Sequence, residues 1–522
     1  MGRELFLSGN EACALAAYDS GCLFASGYPG TPSTEILENL GTYNSVNTSW
    51  ATNEKVALEL CIGASFAGRR SLAVMKHVGV NVAADPLMTL SYTGIKGGLV
   101  IVTCDDPGMH SSQNEQDNRH YALFAKIPML EPSSSAEVYN FLTAAFYISE
   151  KFDTPVLFRL TTRICHSHSR VFPGKKSELP ASGFTINNQK YVMIPAWARM
   201  RHVFIEKRLA LLEKFSCSSK FNIFEKGAGS RLIITSGISY QYVRENFINL
   251  PVLKLGMTWP FPAEKVRKIS CRFKEVMCVE ELDPFLENAC LVSGVNNIIK
   301  RPKNFYIGEL NPERVKALLV NFKDFIKPVK QNIPAARPPA LCRGCPHAFM
   351  FEIFRDYGLI VAGDIGCYTL GTLSPYNALH ACIDMGASIP VGLALRAASA
   401  GKQKNKIISV IGDSTFFHSG ITGLIDAVYN KRSGLIVILD NRSTAMTGGQ
   451  DHPGTGKTLP GNISVRLDIE KIVRACGVNR VFQVDPFKKT ETAAVIKKSL
   501  ALKEIVVIIA TRECIIYGPQ KR

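Results

Sequence analysis

IISVIGDS at residues 407–414 and LIVILDNRS at residues 435–443 decide the fold of the C-terminal part of this 522-residue chain. Each is an apolar run of strand length that ends in polar residues, and a helix-length segment separates them. In a parallel sheet such strand ends meet at one edge, where open α/β folds place their ligands. The Asp413 carboxylate, the Asn441 side-chain carbonyl and the backbone carbonyl of Ser443 are oxygen donors of the kind that Mg²⁺ prefers. The two stretches therefore predict a parallel sheet with a magnesium site at its carboxyl edge.

The same alternation of strand-like and helical segments extends towards the N-terminus. Apolar runs at 99–102, 155–158 and 231–234 alternate with helical stretches, which is typical of mostly parallel α/β sheets. Polar stretches rich in Pro, Gly or Lys at 172–182 and 327–339 indicate boundaries. The fold class is therefore predicted to be α/β, with two large doubly wound units flanking a smaller α/β unit. The predicted segments are domain 1–180, central domain 186–325 with a basic connecting arm, linker 326–339 and domain 340–522.

The bulk composition narrows the class of protein. With 46% hydrophobic and 20% charged residues, the chain can bury ample apolar surface and should be globular. Its N-terminus lacks the pattern of a secretory leader, and no apolar run reaches the ~20 residues of a membrane span. We therefore expect a cytoplasmic protein whose 15 cysteines are reduced, catalytic or metal-bound. The net charge of +17 is compatible with nucleic acid, an acidic protein or no single partner, although no usual nucleic-acid motif is present.

Three separated motifs resemble those of thiamine-diphosphate enzymes. Gly412-Asp413-Ser414 followed one strand later by Asn441 resembles the family's Gly-Asp-Gly and Asn signature, with Ser414 in place of the second Gly. Met385, in IDMGASIP at 383–390, corresponds to the apolar residue that supports the bent cofactor. Glu54, in WATNEK at 50–55, corresponds to the glutamate that hydrogen-bonds the aminopyrimidine ring. Taken singly, each could be an ordinary strand end, a core methionine or a helix N-terminal glutamate.

Longer strings give a narrower resemblance. The chain is similar over essentially its whole length to the alpha subunits of the indolepyruvate ferredoxin oxidoreductase family in the strings YPGTPS (28–33), MKHVGVN (75–81), KLGMTWP (254–260), VEELDP (279–284), GDIGCY (363–368) and TAMTGGQ (444–450). The resemblance implies a pyrimidine-binding domain at 1–180 and a diphosphate-binding domain at 340–522. It also implies oxidative decarboxylation of a 2-oxo acid, with an aryl acid such as indolepyruvate favoured. Coenzyme A, ferredoxin, a smaller beta subunit and a second thiamine subunit are the implied partners.

The resemblance also assigns roles to individual residues. Glu54 is the expected catalytic glutamate, Thr31 should contact the substrate carboxylate, and His77, with Lys76 and His110, should line the site near the 2-oxo group. The expected cofactor-binding residues are Gly363, Asp364, Gly366, Met385, Gly412, Asp413, Ser414, Asn441 and Ser443, of which Asp413, Asn441 and Ser443 would hold Mg²⁺. A histidine on an apolar strand is also compatible with a structural role in the core.

Four cysteines resemble the cluster ligands of the wider pyruvate:ferredoxin oxidoreductase family. Cys342, Cys345, Cys367 and Cys514 follow that family's order, which implies one [4Fe–4S] cluster beside the thiamine. Half of a zinc site or a redox pair is the alternative for a Cys-x-x-Cys motif, but no second pair matches it. Alpha subunits of this kind usually continue into a ferredoxin-like tail with two further cysteine motifs, and no such motif occurs in these 522 residues.

Other functions stay open at this stage. A non-oxidative thiamine-diphosphate decarboxylase that releases aldehyde is the nearest alternative, and a nucleic-acid-binding protein on an inactive enzyme fold is a distant one. The segment HPGTGKT at 452–458 ends like a phosphate-binding loop. However, Asp451 stands where that loop requires its first glycine, which argues against a kinase or ATPase.

Overall fold

The computed structural model describes residues 4–177, 183–320 and 339–518. Part of the predicted boundary at 172–182 and all of the predicted linker except Pro339 lie outside these residues. The chain divides into two compact units, 1–330 and 331–522. Both units are α/β, as the sequence predicts.

The first unit contains fourteen strands within the described residues. They are β1 (Leu5–Ser8), β2 (Phe24–Gly27), β3 (Asn47–Trp50), β4 (Ser71–Lys76), β5 (Leu99–Asp105), β6 (Met129–Leu130), β7 (Val156–Thr161), β8 (His168–Val171), β9 (Asn222–Glu225), β10 (Arg231–Thr235), β11 (Val252–Leu255), β12 (Met257–Trp259), β13 (Glu275–Val279) and β14 (Ile298–Ile299). Seven of them form a sheet in the order β12-β6-β7-β5-β4-β2-β3, and five form a second sheet in the order β14-β13-β10-β11-β9. Strands β1 and β8 pair as a separate antiparallel ribbon.

Helices cover the two sheets of this unit. They are α1 (Gly9–Asp19), α2 (Thr34–Leu40), α3 (Glu54–Phe66), α4 (His77–Val82), α5 (Ala84–Thr93), α6 (Arg119–Ala125), α7 (Ser135–Phe152), α8 (Thr162–His166), α9 (Asn188–Tyr191), α10 (Pro195–Ser218), α11 (Gly237–Asn246), α12 (Ala263–Ser270), α13 (Phe285–Val292) and α14 (Pro312–Val320). Because helices lie against both faces, strands such as β5 are buried along their whole length and read as continuous apolar runs.

The central segment is physically joined to the first sheet. After β11 has paired within the five-stranded sheet, the chain passes through Gly256 and β12 pairs antiparallel with β6 of the seven-stranded sheet. A side chain at Gly256 would meet the Phe141 ring at 2.6 Å, so the close approach of the two parts depends on this glycine. One continuous apolar cluster contains residues of both parts.

One buried ion pair joins the two parts of the first unit, and a second lies within the seven-stranded sheet. Arg119 at the start of α6 is fully buried, and its guanidinium lies 2.6 Å from an oxygen of Glu280, which follows β13. Arg159 in β7 lies 2.7 Å from Asp105 at the end of β5. Breaking such a buried pair by removing one partner is costly because it leaves an uncompensated charge. The VEELDP string of the sequence analysis therefore has a structural role at this junction.

The second unit is built on one five-stranded sheet within its described residues. Its strands are β15 (Ile360–Ala362), β16 (Ile407–Gly412), β17 (Gly434–Asp440), β18 (Arg480–Val484) and β19 (Ile505–Thr511). Its α-helices are α15 (Pro346–Asp356), α16 (Ser388–Ala398), α17 (Asp413–Thr415), α18 (Ile421–Tyr429), α19 (Ile469–Ala475) and α20 (Lys489–Leu500). The strand order is β15-β16-β17-β19-β18, and every pairing is parallel.

All five strands of that sheet therefore end at one edge, with apolar clusters packed on both faces. This is the arrangement that the two opening sequence stretches predict. In the part of the chain that the structure describes, no helix combines the length and the hydrophobicity needed to cross a membrane.

Candidate functional site

The carboxyl edge of the five-stranded sheet collects the predicted cofactor residues. Asp364 lies two residues after β15, Asp413 directly after β16, and Asn441 directly after β17. Cys514 follows β19, and its backbone N–H donates to the Asn441 carbonyl at 3.0 Å. Residues far apart in sequence thus meet at one place, because parallel strands end together.

Asp413 is buried and held by several donors. The Ser414 N–H donates to its Oδ1 at 2.8 Å, and the Arg442 N–H donates to its Oδ2 at 2.7 Å. The His452 ring lies 3.2 Å from the same Oδ2 through Nε2. Because the Gly454 N–H donates to His452 Nδ1, the hydrogen of the neutral ring is on Nε2 and points at Asp413. The carboxylate therefore has a fixed orientation.

The electrostatics of this edge are dominated by two neighbouring carboxyl groups. Burial alone would raise the pKa of Asp413, but the nearby His452 and the backbone donors leave that pKa below its ordinary value. Burial, followed by the charge of Asp413, raises the pKa of Asp440 to about 6. The buried Asp413 and the half-buried Asp440 repel each other when both are ionised, and a bound cation would relieve that repulsion.

Asn441 has its two amide ends in different surroundings. Its Nδ2 donates to Nε2 of the buried His347 at 3.2 Å, and its Oδ1 accepts the Ser443 N–H at 3.3 Å. Burial lowers the pKa of His347 to about 4, so the ring is neutral near pH 7. Ser443 is buried beside these groups, and the Ser414 hydroxyl accepts a hydrogen bond from Thr444 at 2.9 Å. The three oxygen donors predicted for Mg²⁺ thus lie on two adjacent loops.

Asp364 anchors the neighbouring loop rather than presenting a free carboxylate. It is fully buried and accepts backbone N–H groups from Ile365, Gly386 and Ser388 at 2.9–3.0 Å. Gly386 has φ +97°, and Met385 beside it is half-buried in the turn before α16. Asp364 therefore fixes the turn that carries Met385.

Three glycines of this region give room to their neighbours. A side chain on Gly366 or Gly412 would meet the Tyr368 ring at 2.4 Å or 2.7 Å, and one on Gly363 would meet Leu379 at 2.3 Å. These predicted cofactor-binding positions are thus glycine because the loops pack closely.

The four predicted cluster cysteines line one small cavity. It has a volume of about 80 Å³ and is otherwise lined mainly by apolar residues and by His347 and Asn441. Gly344, with φ +77°, turns the chain so that the Cys345 N–H donates to the Cys342 carbonyl at 3.0 Å. Burial, then the proximity of the other three thiols, raises the pKa of Cys367 to about 12. The structure thus brings together all four cysteines that the sequence singles out.

In the first unit, Glu54 begins α3 and is buried. The Asn53 side chain caps that helix by accepting the Val56 N–H at 2.9 Å. The Glu54 side chain crosses over Gly79 of α4, where an added side chain would lie 2.7 Å from Glu54 Cγ and Oε1. The position of this carboxylate therefore depends on the absence of a side chain at residue 79. Glu59, by contrast, is exposed and paired with Lys55.

Lys76 lies at the end of β4, over the loop that carries Thr31. Its side chain packs 3.1 Å from where a side chain on Gly30 would begin, and its Nζ donates to the Ser111 carbonyl at 2.5 Å. The Ser111 hydroxyl is 3.4 Å from the Thr31 carbonyl, and Thr31 is half-buried. Burial lowers the pKa of Lys76 to about 8, although Asp106 opposes the shift. Thr31 and Lys76 thus share one locality.

The two predicted histidines differ. His77 is fully buried at the start of α4, and its Nε2 lies 3.2 Å from the Asn114 carbonyl. Burial, then the charge of Lys76, lowers the pKa of His77 to about 4. His110 is exposed and lies 3.2 Å from Glu309. His77 is therefore adjacent to Lys76, whereas His110 contacts Glu309, which lies 199 positions further along the chain.

Sequence reasoning did not identify His347 or His452 as site residues. His347 directly follows Cys345-Pro346, and His452 lies in the segment considered only as a possible phosphate loop. One further grouping, Asp117, His120 and Asp283, has ligand atoms within 4.8 Å of one another. It is a poor cation site because Asp117 is already paired with the buried guanidinium of Arg119.

Comparisons with known proteins agree with this geometry. Residues 364–510 match the family described as thiamine pyrophosphate enzyme, C-terminal TPP binding domain. Residues 15–183 match the family described as pyruvate flavodoxin/ferredoxin oxidoreductase, thiamine diP-bdg. The two matches fall on the two units that carry the residues above.

Full-length relatives are similar as well. The chain is 39% identical to the indolepyruvate oxidoreductase subunit IorA of Methanothermobacter thermautotrophicus, over 99% of this chain and 87% of the relative. It is 40% identical to IorA of Archaeoglobus fulgidus, over 100% and 88% of the two chains. A solved 2-oxoglutarate:ferredoxin oxidoreductase from Magnetococcus marinus shares the fold, with a TM-score of 0.50, 16% identity and coverage of 60% of this chain and 64% of the other.

Proposed function

Because the chain belongs to the family of the indolepyruvate oxidoreductase subunit IorA, we propose that it catalyses the thiamine-diphosphate-dependent oxidative decarboxylation of a 2-oxo acid. An aryl 2-oxo acid such as indolepyruvate is the favoured substrate. In this proposal residues 1–180 bind the pyrimidine ring, residues 340–522 bind the diphosphate, and residues 186–325 form a small central domain. The balanced reaction joins the acid to coenzyme A, releasing acyl-CoA, CO₂, one proton and two electrons.

The observation that carries the proposal is that the predicted metal ligands and the four cysteines meet at the edge of the five-stranded sheet. Asp413 and Asn441 lie at the ends of the neighbouring strands β16 and β17, and Asn441 also lines the cavity that contains the four cysteines. An oxygen-donor site and a thiol-lined site are therefore neighbours. Electron transfer out of a decarboxylation site requires such a neighbourhood, whereas a non-oxidative decarboxylase does not.

The residues at the sheet edge fit a Mg²⁺ ion and the diphosphate of the cofactor. Asp413, Asn441 and the Ser443 carbonyl would supply hard oxygen ligands, and the adjacent Asp440 adds negative potential. A divalent cation there would offset the repulsion between Asp413 and Asp440. We therefore propose this set as the metal site, with Gly363, Asp364, Gly366, Met385, Gly412 and Ser414 shaping the loops around the cofactor.

Thiamine diphosphate, when bound, supplies the carbanion-stabilising chemistry that decarboxylation of a 2-oxo acid needs. Glu54 is proposed as the group that hydrogen-bonds the aminopyrimidine ring and exchanges a proton with it. The burial of Glu54 and its close contact with Gly79 support this role, since a proton-transfer group has to be held in place.

The substrate carboxylate is proposed to bind where Thr31 and Lys76 converge. Lys76 offers a cationic amine that is mostly shielded from water, so its attraction for an anion is weakly screened. The adjacent His77 is neutral near pH 7 and is proposed to lie near the 2-oxo group. Its Nε2 donates to the Asn114 carbonyl, so its Nδ1 is left as a hydrogen-bond acceptor.

The cysteine-lined cavity fits one [4Fe–4S] cluster. It offers the four thiolates that such a cluster requires, in mainly apolar surroundings. The raised pKa of Cys367 reflects burial and the crowding of potential thiolates, which bound iron would stabilise as anions. Such a cluster would take electrons one at a time from the decarboxylation site. We propose Cys342, Cys345, Cys367 and Cys514 as its ligands.

The proposed partners follow from the same reaction. A smaller beta subunit, a second thiamine subunit, coenzyme A and ferredoxin would complete the enzyme. The net charge of +17 would speed association with an acidic ferredoxin, and the reduction rate should then fall steeply with salt.

The test is anaerobic purification, reconstitution with iron and sulfide, and measurement of thiamine content, iron content and ferredoxin reduction with 2-oxo acid and coenzyme A. Cys→Ser changes at the four cluster positions should each lower iron content and ferredoxin reduction, because a hydroxyl is a poor substitute for a thiolate. Thiamine binding should largely survive.

Cys476→Ser is the matched control, since this cysteine lies in the same unit outside the cavity and should leave iron content unchanged. A reconstituted protein that holds no iron, yet releases aldehyde from an aryl 2-oxo acid, would establish the non-oxidative decarboxylase instead.

A further inference from the structure

His347 occupies the boundary between the two neighbouring parts of the site. It is the second residue of α15, one residue beyond the Cys342–Cys345 turn, and the residue is only 5% exposed. It lines the same cavity as Cys345, and its ring contacts the Asn441 amide. One residue therefore lines the proposed cluster cavity and contacts a proposed metal ligand through its side chain.

The chemistry of the Asn441 contact gives it a direction. An amide nitrogen can only donate, so at 3.2 Å the His347 Nε2 is the acceptor and carries no hydrogen. The amide nitrogen is thereby committed to His347. The amide oxygen accepts one N–H from Ser443 and retains a second lone pair.

We propose that His347 is a positioning residue that holds the Asn441 amide with its oxygen available to a divalent cation. This inference rests on the proposed metal site and deepens it. Without an acceptor at residue 347, the amide could turn and present its nitrogen, which cannot ligate Mg²⁺. The ring is itself fixed by the Tyr368 ring, whose centroid lies 5.8 Å away in an edge-to-face arrangement.

The experiment compares His347→Phe with His347→Gln. Phenylalanine retains a planar ring for Tyr368 but has no acceptor, whereas glutamine restores an acceptor oxygen. Calorimetric titration of thiamine diphosphate into the magnesium-depleted full-length protein, at a series of Mg²⁺ concentrations, distinguishes weaker Mg²⁺ binding from a general loss of cofactor binding. Iron content and thermal unfolding are measured on the same samples.

For His347→Phe, we expect about a tenfold increase in the Mg²⁺ concentration that gives half-maximal thiamine diphosphate binding, with binding recovered at saturating Mg²⁺. His347→Gln should restore most of the Mg²⁺ affinity, and both variants should keep their iron. The control His380→Gln alters a histidine of the same unit that accepts the Val361 N–H, and it should bind Mg²⁺ like the wild type.

Wild-type Mg²⁺ dependence in His347→Phe would overturn the inference and leave the proposed function standing. Weakened binding that saturating Mg²⁺ does not restore, or that His347→Gln does not rescue, would assign His347 a packing role and also overturn it. A wild-type protein that binds no thiamine diphosphate at any Mg²⁺ concentration would instead defeat the proposed function, and the inference with it.

Discussion

The carboxyl ends of the parallel strands in the two large sheets carry different kinds of groups. At the seven-stranded sheet the important side chains can gain or lose protons, and burial shifts the pKa of Lys76 to about 8 and that of His77 to about 4. At the five-stranded sheet, Asp364 and Asp413 are locked as acceptors by backbone N–H groups. We propose that the first edge serves proton transfer and substrate contact and that the second holds a cation and a diphosphate.

The largest effect is expected from changing Asp413 at the carboxyl edge of the five-stranded sheet. Asp413→Ala should abolish thiamine diphosphate binding, because it removes one of three proposed protein ligands and leaves the metal bridge open to water. Calorimetric titration with Mg²⁺ and thiamine diphosphate measures this. Asp426→Ala, which removes an exposed carboxylate paired with Arg432, is the control and should bind normally. Unchanged occupancy in Asp413→Ala would remove the metal site from this edge.

The next-largest effect is expected from changing Glu54, which should reduce catalysis without disturbing cofactor binding at the five-stranded sheet. Glu54→Gln should bind thiamine diphosphate but lose turnover by about 10²–10⁴-fold, the contribution typical of a proton-transfer group. Steady-state rates of 2-oxo acid oxidation provide the measurement. Glu59→Gln, on the exposed face of the same helix, should have near-normal rates. The opposite result for the two variants would move the catalytic glutamate to Glu59.

A smaller effect is expected in the pH dependence of substrate binding. Lys76 is protonated below its pKa of about 8, so the KM for the 2-oxo acid should rise above that pH as the amine loses its charge. The protonated fraction falls about tenfold for each further pH unit. KM measured from pH 7 to 9.5 at saturating coenzyme A tests this. Lys76→Met should have a high and flat KM, and a variant that kept the wild-type rise would exclude Lys76.

The smallest effect is expected in the stability of two glycine variants, one in α3 and one in α4. Gly63→Ala in α3 meets open space and should raise the free energy of unfolding by about 0.5–1 kcal/mol. Gly79→Ala should lower it by about 1–3 kcal/mol, because the added methyl group would collide with the Glu54 carboxylate. Denaturant unfolding of both variants measures the difference. Equal stabilities would mean that Glu54 is not held against α4.

The sequence predicts the strand ends well because that information is local. The apolar runs at 407–411 and 435–439 correspond to β16 and β17, and the residues that follow them meet because parallel strands end together. The four cysteines were inferred from a family resemblance, and the structure collects them around one cavity.

Contacts between distant segments were not predictable in the same way. His452 reaches Asp413 across 39 positions, and His347 reaches Asn441 across 94. Likewise, nothing in the local pattern around Gly79 indicates that Glu54 lies over it. Such contacts depend on how loops pack above the sheet, and no helical or strand periodicity encodes that packing.

Strand β12 forms the edge of the seven-stranded sheet, and this affects whether the N-terminal segment can be produced without the central one. Strand β12 covers the outer side of β6. A shortened protein ending near residue 180 would leave that side without its partner, and uncovered strand edges promote pairing between molecules. We therefore expect the N-terminal segment to aggregate when it is produced alone, and to aggregate less when residues 186–325 are included. The central segment thus covers the edge of the neighbouring sheet within the first compact unit.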